Sequence, residues 1–104
     1  MNGDDRSSQD MAPVRVTLKV FGGLRPLRDS PFEEHALPPD STIEDLWASL
    51  EPRAPQFVGK LREGIESGYL HVLVNGRNAV FLDGPVTKLK DGDTIAVLPP
   101  IGGG

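Results

Sequence analysis

At 104 residues, 38% of them hydrophobic, the chain is sized for one domain with one modest core and not for two. No stretch approaches the roughly 20 apolar residues of a membrane span, and the polar opening MNGDDRSSQD lacks the apolar centre of a secretory signal, so a cytoplasmic protein is expected. A net charge of −4, with no block among the 11 Lys and Arg, argues against nucleic acid; zero cysteines remove disulfides, thiolate metal sites and a cysteine nucleophile, and two isolated histidines, His35 and His71, make no metal site.

Residues 1–13 are polar and without periodicity, which predicts a disordered tail, and Met11 is an alternative start to Met1. From Val14 the pattern changes. Val14, Val16, Leu18 and Val20 alternate with Arg15, Thr17 and Lys19, the two-residue period of a strand with one buried face. After Gly22-Gly23 and an Arg- and Pro-rich loop, FEEHAL (residues 32–37) is a weaker strand, closing a hairpin with a long connection. DSTIEDLWASLEP is the clearest helix, since Ile43, Leu46, Trp47 and Leu50 fall at the i, i+3, i+4, i+7 spacing of one face. Ser41 with Glu44, or Thr42 with Asp45, fits a capping box, and Pro52 ends the helix. Phe57, Leu61 and Ile65, four apart, suggest a short second helix before Gly68.

YLHVLVNGRNAVF reads as a strand, a turn at Asn75-Gly76 and a short returning strand, because both turn residues tolerate positive φ. KLKDGDTIAVLPP adds a turn at Asp91-Gly92-Asp93 and a last strand, residues 94–98. This order predicts a two-layer α+β domain over residues 14–98, with one mixed sheet of four to five strands packed on one main helix. If the first and last strands pair centrally, Ile95 and Val97 lie beside Val16 and Leu18, and Trp47 and Leu50 cover the sheet. Residues 99–104, PPIGGG, form a flexible C-terminal segment. A run of three glycines pays the largest backbone entropy on ordering, so it does not hold itself in place. A frayed end is the plain reading of such a run.

The stretches VRVTLKVFGGLRPL, DSTIEDLWASL, VLVNGR and above all LKDGDTIAVLPPIGGG give the run a different meaning. Together they resemble the MoaD/ThiS family of sulfur carriers, small proteins of ubiquitin-like β-grasp fold that include the small subunit of molybdopterin synthase. The resemblance covers about residues 14–104, and its specific part is the order DGD, strand, Pro-Pro, terminal glycines.

That resemblance implies a function without catalysis by the chain alone. The carboxylate of Gly104 is adenylated by an ATP-dependent enzyme of the ubiquitin-activating type, and a sulfur donor converts it to a thiocarboxylate that passes sulfur to a cofactor precursor. The carrier binds no cofactor or metal itself; ATP is used by the activating partner. The other implied partner is a synthase large subunit or another sulfur-accepting enzyme, with no nucleic acid and no membrane. The activation step has its own logic, because a carboxylate with a pKa of roughly 3.3 to 3.7 is ionised at pH 7 and a poor electrophile until it becomes a mixed anhydride.

Pro99, Pro100, Ile101, Gly102 and Gly103 would thread the terminus into a partner, the prolines by fixing φ and the glycines by permitting close backbone approach. Six extended residues reach about 20 Å, at about 3.3–3.6 Å each. The third glycine, Gly102, stands where the family has a variable residue, and if Gly104 were trimmed Gly103 would inherit the acyl group. An apolar docking patch on the open sheet face is also implied, and Leu73, Phe81 and Leu98 are the out-of-phase apolar residues that could supply it. Leu98 reads equally well as a core residue at the strand end.

Three functions stay in view: a sulfur carrier, a ubiquitin-like modifier conjugated through its terminal glycine, and a β-grasp binding module with an inert tail. The 52–68 segment favours the molybdopterin type of carrier over the thiazole type, with carriers for cysteine or other thio-metabolites sharing the same tail. Trp47 reads as core, His71 as a strand residue, and Asp91 and Asp93 as a turn that lacks the further oxygens of a calcium site.

Overall fold

The structure is a computed structural model of the 104-residue chain, and it describes residues 12–21 and 32–99. The expected N-terminal tail up to residue 11, the Arg- and Pro-rich connection 22–31 and residues 100–104 lie outside the described residues.

Five strands among the described residues form one mixed sheet: β1 (Val14–Val20), β2 (Phe32–Leu37), β3 (His71–Val74), β4 (Arg77–Asn78) and β5 (Thr94–Leu98), in the order β2-β1-β5-β3-β4. The first and last strands do pair at the centre, in parallel, while the other pairings are antiparallel. Their register is two residues further along β1 than the sequence suggests, with Leu18 opposite Ile95 and Val20 opposite Val97. Because side chains alternate with a period of two, this shift leaves every side chain on its expected face. Leu18, Val20, Ile95 and Val97 are each at most 1% exposed.

Among the described residues, two α-helices cover that face. In α1 (Ile43–Leu50) the four residues of the predicted stripe are all buried. Its capping box is Thr42 with Asp45: the Asp45 amide donates to Thr42 Oγ1 at 3.2 Å and the Thr42 amide to Asp45 Oδ2 at 2.9 Å. Ser41, the alternative cap, is buried and donates instead to the Pro38 carbonyl at 2.6 Å. The second helix, α2 (Pro55–Ser67), is the longer at 13 residues, so the sheet is packed by two helices and not by one main helix alone. Proline in its first turn costs no hydrogen bond, and Gly68 ends it at φ 83°. Phe57, Val58 and Leu61 bury its inner face; Ile65 packs at the core margin, and Leu70 fills the space where a side chain on Gly64 would stand.

A salt bridge ties the helices together on their outer side. Arg62 approaches Glu44 to 2.7 Å, and that hydrogen bond raises the guanidinium above its ordinary pKa, with Glu51 adding a weaker attraction. Both partners remain well exposed, which keeps the stabilisation at about 1 kcal/mol or less.

The DGD turn earns its residues by backbone bonding. Asp91 Oδ1 accepts from the Arg15 amide at 2.9 Å, and the Gly92 amide donates to the Arg15 carbonyl at 2.7 Å from a backbone at φ 90°. Asp93, nearly buried, accepts from the Lys90 amide and from the Asn75 side chain, both at 2.8 Å. Asn75 Oδ1 in turn accepts from the Thr94 amide at 2.9 Å. Thus the NG turn after β3 and the DGD turn before β5 are locked to each other, which fixes where β5 begins.

Candidate functional site

The two faces of the sheet differ in character, and the candidate site lies on the one away from the helices. Register places Phe32, Lys19, Ala96, Leu73 and Asn78 in one row across this open face. Beside it, His71 stands opposite Leu98, the last residue of β5. Phe21 continues the alternation of β1 next to this pair, its amide donating to the Val97 carbonyl at 3.0 Å.

Leu73 and Leu98 are therefore neighbours on the open face, both half-buried, in antiphase with the fully buried Ile95 and Val97. This resolves the two readings of Leu98 geometrically: its side chain belongs to the solvent face and not to the core. With Ala96 opposite Leu73 and two residues before Leu98 on β5, the leucines make a short apolar strip that ends where Pro99 leaves the sheet. Lys19 borders the strip, its ammonium 5.3 Å from the centre of the Phe32 ring, within cation–π range.

Phe81 is placed elsewhere. The returning strand β4 is only two residues long because Asn78 turns its side chain to accept from the Val80 amide at 3.0 Å, capping a 3-10 turn at Ala79–Phe81. Phe81 sits on that turn, 84% exposed, at the rim of an apolar groove of about 470 Å³ whose floor includes Ile43 and Trp47. Hence the three predicted patch residues divide: two on the sheet face, one at the margin between sheet and α1. Trp47 itself is 2% exposed, as a core residue should be.

Of the residues expected to thread into a partner, Pro99 is half-buried at the exit of β5. Pro100, Ile101, Gly102, Gly103 and Gly104, the residue expected to carry the acyl group, lie outside the described residues. The strip residues that sequence reasoning missed are Ala96, Phe21 and the Lys19–Phe32 pair. Lys19 was visible as an outward position in the alternation of β1, but its aromatic neighbour depends on the β1–β2 register across a long connection.

Comparison with known proteins now bears on the whole of this arrangement. The sequence profile of the ThiS family matches residues 18–104, most of the chain and through its last residue. The chain belongs to the ThiS family. It is 44% identical over 92 residues to small archaeal modifier protein 3 of Haloferax volcanii, covering 88% of this chain and all of that protein. The structure of small archaeal modifier protein 1 from Methanosarcina acetivorans superposes with a TM-score of 0.67 at 32% identity, covering 88% of this chain and 98% of that one. A Pyrococcus furiosus structure, named by inference as molybdopterin converting factor subunit 1, superposes with a TM-score of 0.66 at 30% identity, covering 85% of this chain and 99% of that one. The fold is thus the ubiquitin-like β-grasp expected from the sequence, in a family of small carriers and modifiers.

Among the described residues no helix is long and apolar enough to cross a membrane. Asp91 spends its carboxylate on the Arg15 amide of β1 and Asp93 on the Lys90 amide and the Asn75 side chain, and no group of three or more His, Asp or Glu side chains among the described residues is placed to hold a metal.

Proposed function

We propose that the chain is a carrier whose C-terminal glycine, Gly104, is activated as an acyl-adenylate and converted to a thiocarboxylate that donates sulfur. The observation that carries this reading is the junction at Leu98. There the central strand of the sheet ends on an apolar strip of the open face, and the sequence continues directly into PPIGGG. A partner seated on Leu73, Ala96 and Leu98 receives residues 99–104 at its own surface, and their reach of about 20 Å is enough to enter an enclosed catalytic centre.

In this reading the folded body recognises and the terminus reacts. ATP is consumed by an adenylating enzyme of the ubiquitin-activating type; attack of hydrosulfide-level sulfur on the acyl-adenylate expels AMP and leaves the sulfur on Gly104. By itself the chain is a cosubstrate rather than an enzyme. The favoured acceptor is a molybdopterin precursor bound to a synthase large subunit, supported by the Pyrococcus relative's name and by the long 52–68 segment, which folds as α2. Action in the cytoplasm follows from the same partners.

A second use of the same activated terminus is supported by the Haloferax relative, which is named a modifier and matches over its whole length. In that case the acyl group ends as an isopeptide on a lysine. Deleting Gly103-Gly104 tests the shared step: both uses predict complete loss of activation in a folded protein, whereas an inert-tail binding module keeps its function. The product separates the two, a sulfur-containing small molecule for the carrier and a protein conjugate for the modifier.

A further inference from the structure

We infer that His71 is a partner-recognition residue, locked in one tautomer so that its Nε2–H donates to a carbonyl or carboxylate oxygen of the enzyme that receives the C-terminal segment. This rests on the reading of the open face as the docking surface and adds to it a directional polar contact.

The tautomer follows from Asn78. An asparagine amide has one accepting end and one donating end. The accepting end is committed, because Asn78 Oδ1 takes the hydrogen bond from the Val80 amide at 3.0 Å that caps the 3-10 turn. What faces His71 is therefore Nδ2, which donates, and it lies 3.4 Å from Nδ1 of the imidazole. A donor on that side requires a lone pair on Nδ1. The neutral ring then carries its proton on Nε2, the nitrogen turned away from Asn78.

The position supplies the rest. His71 stands directly opposite Leu98, one residue before Pro99, on the half of the face where Leu73, Ala96 and Leu98 offer a partner no polar atom from their side chains. The imidazole is half-buried, and among the described residues Nε2 has no hydrogen-bond partner. A surface laid over the apolar strip covers this N–H and must present an oxygen to it, since a buried donor without an acceptor is penalised. Apolar contact thus holds the partner, and the histidine selects one that places an acceptor at the root of the tail.

Two measurements test this. In the free full-length protein, at a pH where the ring is neutral, long-range proton–nitrogen NMR correlations of His71 should show Nδ1 unprotonated and Nε2 bearing the proton; a neutral ring protonated on Nδ1 overturns the inference whatever any partner does. Binding to the activating enzyme should then distinguish His71→Gln from His71→Asn, because glutamine sets its amide nitrogen near the lost Nε2 and asparagine near Nδ1. With both variants folded as judged by thermal unfolding, His71→Gln should keep near wild-type affinity and His71→Asn should lose roughly three- to tenfold, the net worth of one hydrogen bond. Wild-type affinity in His71→Asn, where Leu98→Glu has lost binding, overturns the donor role alone. Wild-type affinity in both His71→Asn and Leu98→Glu overturns the docking reading and this inference with it.

Discussion

The same five strands present two faces that behave as different materials. Toward the helices, Val16, Leu18, Val20, Val72, Ile95 and Val97 meet α1 and α2 in one dry cluster. Toward solvent, the intervening residues are Arg15, Thr17, Lys19, His71, Leu73, Ala96 and Leu98, a polar field with an apolar strip at the end where β5 runs out. Strand alternation makes this division possible: each residue serves one face, so the fold and the recognition surface can be changed independently. Folding energy belongs to the first face; in the proposed function, partner choice belongs to the second and the chemistry to Gly104.

The sharpest way to break the comparison is to remove what neither face contains. Deletion of Gly103-Gly104 should abolish acyl-adenylate formation, read by pyrophosphate release with the activating enzyme, and leave the unfolding midpoint unchanged. On the core face, Leu18→Ala should cost about 2–5 kcal/mol in urea unfolding, since Leu18 is 1% exposed and its loss leaves a cavity. Leu98→Glu, one of the open-face residues on β5, should do the reverse: stability within about 1 kcal/mol of the parent, but affinity for the activating enzyme lower by about tenfold or more, some 1.4 kcal/mol, in calorimetric titration. Loss of fold in that variant would move Leu98 to the core. Lys19→Ala should have the smallest effect, about 0.5–1 kcal/mol of stability from the contact with Phe32, with unchanged core packing.

Much of the core face was legible because its signals are local. The spacing of Ile43, Leu46, Trp47 and Leu50 needs only the helical period, and all four are buried. Alternation in β1 and β5 likewise separates inward from outward residues without knowledge of any neighbour. The second helix is legible from Phe57, Leu61 and Ile65, but its 13-residue length is not, because α2 is polar on average and holds Gly59 and Gly64, the second of which leaves room for Leu70.

The open face was less legible because it is assembled by register. Leu73 and Leu98 could be named from their phase, but that they adjoin Ala96 and His71 depends on which residues of β3 and β5 face each other. The apolar character of Phe81 suggests the same patch, but Phe81 leaves the sheet because one asparagine side chain caps the following turn. Such a cap is chemically visible in the sequence as Asn78 before Ala79-Val80, yet whether it or the strand ladder prevails is a tertiary outcome.

The central claim is that Gly104 carries the reacting group, and intact-mass measurement tests it most directly. The protein is incubated with ATP, an adenylating partner proven active on its own carrier and a sulfide source, and the C-terminal peptide is then fragmented. A mass gain equal to replacing one oxygen by sulfur, located on Gly104, is the result expected of a carrier. An unchanged terminus under those conditions would contradict it.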